Sequence, residues 1–217
     1  YARQTIIEKW RCPVLFTLGA AGDAVPIKRK DDSRERIGSI LGNAAILAEH
    51  TYRCDGLEVL AAESIEIEAA TILKTDPSTA DAEYKTTRKA VLAIEDRDSE
   101  DYREKLRTFQ EKLMLCGRAR RYPDNKHRIK IQFIRIGGTV FVVLGFEVLA
   151  EIGLKMKERF PNSVMISCAG GYAGYLPLAH EYERVGYEAT ESSTHFVPGT
   201  ADRILDAILK NLDERMG

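Results

Sequence analysis

Two apolar runs separated by Gly137-Gly138 constrain this chain more than any other feature. In the first, Ile129, Ile131, Phe133 and Arg135 alternate with Lys130, Gln132 and Ile134, which is the two-residue period of a strand. The second, Thr139 to Leu144, is almost continuously apolar. A glycine pair between two such runs predicts a β-hairpin, because tight hairpin turns need positive φ.

The flanking segments supply the remaining layers. Pro13 to Leu18 reads as a short buried strand that empties into the tight loop Gly19 to Asp23. Ser33 offers an N-cap for a helix reaching about His50, with Ile37, Ile40, Leu41, Ala44 and Leu47 at helical spacing. Leu57 to Ala69 reads as a strand with Ile65, Ile67 and Ala69 on a dry face and Glu66 and Glu68 on a wet one. Charged helices over about Thr79–Glu95 and Asp98–Leu115, with Gly117 as a stop, form a peripheral excursion at about 76–121. A helix over about Glu147–Arg159, a buried strand over Ser163–Ser167, a strand over Glu188–Thr194 and an amphipathic helix over Thr200–Glu214 complete the chain. The expected class is α/β: a mixed β-sheet with flanking helices, including the hairpin and the helical excursion.

Composition narrows the function classes. With 32 basic and 33 acidic residues the net charge is −1, against the basic excess of a general nucleic-acid or acidic-membrane binder. The basic clusters Lys28–Lys30 and Arg118–Arg121 fall in turn-like stretches and read as solvated surface. No apolar run approaches the ~20 residues of a transmembrane segment, and no leader precedes Tyr1, so a fragment or processed product is expected. Cys12, Cys54, Cys116 and Cys168 lie far apart. That spacing supports neither a disulfide framework nor a cysteine-zinc knuckle, and it favours a reducing compartment such as the cytoplasm. Cys12 and Cys168, in apolar contexts, are expected to be buried as small hydrophobes.

Three strand exits carry glycine beside a polar or ionisable group: Gly22-Asp23, Gly145-Phe146-Glu147, and Gly171 to Tyr175. Ligands gather at strand ends of this kind in α/β sheets. Glu147 follows the most apolar strand, so its carboxylate must find a cation, a metal or hydrogen-bond donors. Alternatively, it is a first-turn acid of the next helix, facing that helix's dipole. Tyr172, Tyr175, Tyr182 and Tyr187 cluster among glycines, in a pattern that also suits plain amphipathic packing. His50, His127 and His180 fall in polar contexts and read as exposed, whereas His195 either lines a site or is structural. Phosphate-loop, dinucleotide and serine-hydrolase motifs are all missing.

The loop Gly19-Ala-Ala-Gly22-Asp23-Ala-Val25-Pro26 resembles the Gly-Asp-x-Ser-Pro loop of the neutral/alkaline, non-lysosomal ceramidases. Leu144-Gly-Phe-Glu147 followed by Glu151-Ile-Gly153 resembles that family's Pro-Gly-Glu segment, and Ala173 to Pro177 with Glu181-Tyr182 and Gly186-Tyr187-Glu188 its tyrosine-rich segment. The resemblance spans residues 1–217 and matches the C-terminal half of the family's catalytic domain. It implies a zinc-dependent amidase that cleaves the N-acyl bond of a small-molecule or lipid amide, in lipid metabolism. Carried over by motif, Glu147 and Tyr175 are metal ligands and Tyr187 and Asp23 catalytic groups, with Gly22 and Tyr172 against substrate. The zinc's histidine ligands are expected from a preceding N-terminal half. Val25 stands at the family's serine position, so a non-catalytic relative that binds a lipid, small molecule or protein partner is the alternative expectation.

Overall fold

The computed structural model describes residues 1–49, 59–72, 76–184 and 186–216. The expected hairpin lies at its centre. Strands β1 (Leu60–Ala70), β2 (Lys126–Ile136) and β3 (Thr139–Val143) form an antiparallel meander. The order in the sheet is β1-β2-β3-β5, with β5 (Ser163–Ile166) parallel to β3. A separate parallel pair joins β4 (Glu147–Val148) to β6 (Tyr175–Leu176).

Charge and pleat together set the β1–β2 register. Glu66 lies opposite Lys130 and Glu68 opposite Arg128, while Ile65 faces Ile131 and Ile67 faces Ile129. Opposite charges across a strand pair are favourable, and a one-residue slip would turn every isoleucine outward. On the dry face Ile129, Ile131 and Phe133 are buried with Val140, Val142 and Leu144. Two helices cover this core. α5 (Ala150–Arg159) contributes Ile152 and Met156, and α6 (Thr200–Met216) contributes Ile204, Ile208 and Leu212, all inaccessible to solvent. Each such side chain contributes roughly 1.5–3 kcal/mol relative to exposure.

α1 (Ala2–Trp10) and α2 (Ser33–Ala48) pack against each other. The excursion is the helical pair α3 (Pro77–Leu92) and α4 (Glu100–Arg121). Each begins at a side-chain cap: Asp76 accepts from the Thr79 N–H at 2.9 Å and Ser99 from the Tyr102 N–H at 3.1 Å. The pair buries a small cluster of its own, Ala80, Cys116 and Ala119, against Tyr84. No helix among the described residues is long and apolar enough to cross a membrane.

Several expectations need correction. Pro13–Leu18 is not a buried strand: its only ladder contact is an isolated bridge from Leu18 to Ser167, and Leu15 is 89% exposed. Its apolar side chains meet no covering layer among the described residues, so composition alone is misleading there. Gly117 does not stop α4, which runs on to Arg121 because Ala119 packs and Arg118 and Arg121 find acceptors beyond the helix. Consequently Arg118–Arg121 is the end of a helix rather than a solvated turn. Glu188–Thr194 is a 3-10 turn (Tyr187–Ala189) followed by turns, because Thr190 bonds back to Tyr187 and its hydroxyl engages Ser192 and Ser193. Cys12 and Cys168 are exposed and the buried thiol is Cys116. His50 and Cys54 lie outside the described residues.

Candidate functional site

Glu147 is not a first-turn helical acid. It sits in β4, before the helix, directly paired with Tyr175 of β6. Its N–H donates to the Gly174 carbonyl at 3.0 Å. The parallel pairing of two-residue strands brings the carboxylate and the phenol to the same edge. Tyr172 reaches the same carboxylate, its hydroxyl donating to Glu147 Oε1 at 2.6 Å. The Tyr175 phenol lies near enough to Glu147 to feel its charge. Tyr187 meets Tyr175 edge to face, with ring centroids 5.7 Å apart at 80°, a favoured aromatic arrangement. Tyr187 is 65% exposed and closes the cluster from the solvent side.

The phenols of Tyr172 and Tyr175 resist ionisation. Burial and the neighbouring carboxylate push Tyr172 well above the ordinary phenol range and push Tyr175 up to about 12, because a phenolate would be desolvated beside a like charge. Cys168 is likewise raised, first by burial and then by Glu147. The cluster is therefore a carboxylate with protonated donors around it, an arrangement that a cation would invert.

The three glycine-bearing exits do converge. The Gly22 N–H donates to the Val148 carbonyl at 2.8 Å, and a Cβ at Gly22 would stand 2.9 Å from the Glu147 carbonyl. Only glycine allows that approach, so Gly22 acts through backbone beneath Glu147. Asp23 caps α5 from another part of the chain: its Oδ1 accepts the Ala150 N–H at 2.7 Å, which places negative charge at the helix's positive end. Gly174, at φ +77°, packs so closely that a Cβ would lie 2.3 Å from the Ser193 carbonyl.

A second set of residues, among them arginines that the sequence suggests are solvated surface, organises the tyrosine loops. Arg118 donates to the carbonyls of Glu191 and Ser192, and to that of Thr194 at 3.3 Å. Arg121 donates to the Tyr172 carbonyl at 2.7 Å. Phe196 is buried against Tyr122, Phe146 and His127, with centroids at 5.7, 5.8 and 6.2 Å. Next to it, His195 Nδ1 lies 3.1 Å from the Tyr122 hydroxyl.

No family model, curated protein or solved structure matches the chain.

His195 resolves as a structural histidine held neutral. Burial, and then Arg118 and Arg121, push it down from 6.5 to about 4. Between those values the unfolded chain binds a proton that the folded chain refuses, so stability falls as pH drops from about 6.5 towards about 4. The expected loss is on the order of 2 kcal/mol after allowing for partial solvent screening. Urea unfolding at pH 7 and pH 4.5 should show it, and His195→Gln should flatten the dependence. An equal pH dependence in that variant would remove His195 as the cause.

A further titratable group lies outside this cluster. His180 Nε2 is 3.0 Å from Glu151 and 3.0 Å from Glu181, and the three offer ligand atoms within 4.8 Å of one another. Lys155 and Arg184 already pair with those two carboxylates. His180 is therefore held between two carboxylates rather than standing as a free exposed histidine.

Proposed function

We propose that Glu147 and Tyr175 form part of the metal centre of a zinc-dependent amidohydrolase, completed by histidines from outside these residues. The observation that carries this reading is the direct β4–β6 pairing of Glu147 with Tyr175. It sets a carboxylate and a phenol side by side at strand ends, with further phenols around them. As hard oxygen donors they suit two of zinc's four positions, and two alone would not retain it. Bound zinc would supply Lewis acidity, polarising an amide carbonyl and acidifying water.

The chain's own residues would then divide the work. Glu147 holds the negative charge that attracts the metal, and the Tyr172 hydroxyl orients that carboxylate through its 2.6 Å bond. Tyr187, exposed and anchored against Tyr175, is placed to donate to an oxygen of the reacting carbonyl. Asp23 and Gly22 keep α5 and β4 fixed below the site. In the net reaction a water oxygen bonds to the acyl carbon, the C–N bond breaks, and the amine leaves with a proton.

The test is Glu147→Ala in a protein that includes the histidine-bearing portion. Zinc measured by atomic absorption should fall to background, and amide hydrolysis by at least about a hundredfold. Unchanged zinc and turnover would remove the assignment.

One observation favours the alternative of a non-catalytic binder of lipid, small molecule or protein. Val25, at the serine position, is exposed beside the fully exposed Ile27, close to Leu15 and Phe16 in sequence. Its signature would be binding that persists in Tyr175→Phe in a protein without zinc.

A further inference from the structure

Next to the Glu147 cluster lies a second cleft, of about 100 Å³, that the amidohydrolase reading does not use. Arg121, His127, Arg128 and Lys130 line it from α4 and β2, and Gly170, Gly171 and Tyr172 line it from the loop after β5. Three of those side chains are permanent cations. Burial and then Arg121 lower the proton affinity of His127. Two acids of β1 offset part of that charge: Glu66, opposite Lys130 and 3.9 Å from Arg128, and Glu68, opposite Arg128. Gly170 and Gly171 take positive φ, at 74° and 146°, and their N–H groups have no partner among the described residues. Cations around unpaired backbone N–H groups are the ingredients of an oxyanion site. The volume suits one carboxylate or phosphate group rather than a long chain.

Tyr172 is the wall shared by both places. It lines the basic cleft and its hydroxyl is on Glu147. Arg121 ties the two together by holding the Tyr172 carbonyl while leaving other guanidinium donors for a ligand.

We propose that this cleft binds an oxyanion group of the substrate, a carboxylate or phosphate a few bonds from the amide presented to Glu147; this rests on the amidohydrolase reading. The substrate class is then an anionic N-acyl compound rather than a neutral one.

The experiment is NMR titration of the 15N-labelled chain at low ionic strength. The probes are inorganic phosphate, N-acetylglycine as a carboxylate-bearing amide, and N-acetylethanolamine as its neutral counterpart. At least one anion should shift the Gly170 and Gly171 amides saturably. The double variant Arg128→Gln/Lys130→Gln should weaken that binding by at least about tenfold, and Lys28→Gln/Arg29→Gln, an equally basic surface elsewhere, should not. If the double variant does not fold by circular dichroism, Lys130→Gln alone, at an exposed position, should still lose affinity. N-acetylglycine should also move Tyr172, whereas the neutral amide should leave the two glycines unmoved. Saturation by phosphate alone assigns a phosphate-bearing substrate, and by N-acetylglycine a carboxylate-bearing one. Shifts without saturation, equal losses in both double variants, or glycine shifts from the neutral amide would overturn the proposal. So would N-acetylglycine that moves the glycines without Tyr172. Failure of the zinc centre is separable, because the phosphate titration of the two glycine amides is run without metal and reads the cleft alone.

Discussion

Gly174→Ala should destabilise the protein by about 3 kcal/mol or more and dismantle the candidate site before the chain unfolds globally. Two costs combine. The φ of +77° penalises any residue with a Cβ, and that Cβ would stand 2.3 Å from the Ser193 carbonyl, a backbone atom with little freedom to retreat. Relief requires moving either β6, which carries Tyr175, or the 190–194 loop. Moving β6 separates Tyr175 from Glu147, whose N–H is bonded to the Gly174 carbonyl itself, whereas moving the loop strains the bond from the Tyr175 N–H to the Ser193 carbonyl. Chemical denaturation would give the stability change. The tyrosine absorbance titration would give the local one, since Tyr175 freed from Glu147 should ionise well below its native value of about 12. A variant with native stability and an unaltered titration would show that the loop yields freely and that Gly174 is not needed there.

Phe196→Ala should cost about 3–5 kcal/mol, the range for deleting a buried aromatic ring. The ring is 1% exposed and joins Phe146, just before β4, to Tyr122 at the end of α4. Its backbone bridges to Thr71, just past β1, while the His195 carbonyl accepts from the Ile72 N–H. Deleting it leaves a cavity where sheet, excursion and tyrosine loops meet, so the midpoint of thermal unfolding should fall by several degrees for a chain of this length. Phe196→Leu should recover most of the loss. If the alanine variant costs under about 1 kcal/mol, the ring is a bystander to the junction.

The parts of this fold that are legible in the sequence are those with long periodic signals. The β2–β3 hairpin and α6 can be read near their observed bounds because Ile129, Ile131 and Phe133 keep a period of two, and Ile204, Leu205, Ile208 and Leu212 a helical one. Glu147 reads as helical because β4 spans two residues, too few to show any period, and its partner Tyr175 is remote in the chain. The same limit hides the two arginines that bind loop carbonyls: a backbone acceptor has no sequence signature. Pro13–Leu18 misleads for the opposite reason. Its composition matches a buried strand, yet burial depends on what lies opposite, and Leu18 makes only one bridge. Gly22, Glu147 and Tyr175 stand out in the sequence as three separate glycine-bearing segments, although no strand precedes the first, whereas the basic cleft beside them joins α4, β2 and a glycine loop that only folding brings together.

Arg118 holds the 190–194 loop through main-chain oxygens, not through the side chains of Glu191, Ser192 or Thr194. A main-chain carbonyl is present whatever residue bears it, so this grip is blind to the loop's lettering. The two partners thus carry unequal mutational burdens. The loop's side chain at 191, turned to solvent, is free to drift and retune what the site meets. The single guanidinium that holds the loop in place has no equivalent substitute, because lysine lacks the planar fork that spans several acceptors at once.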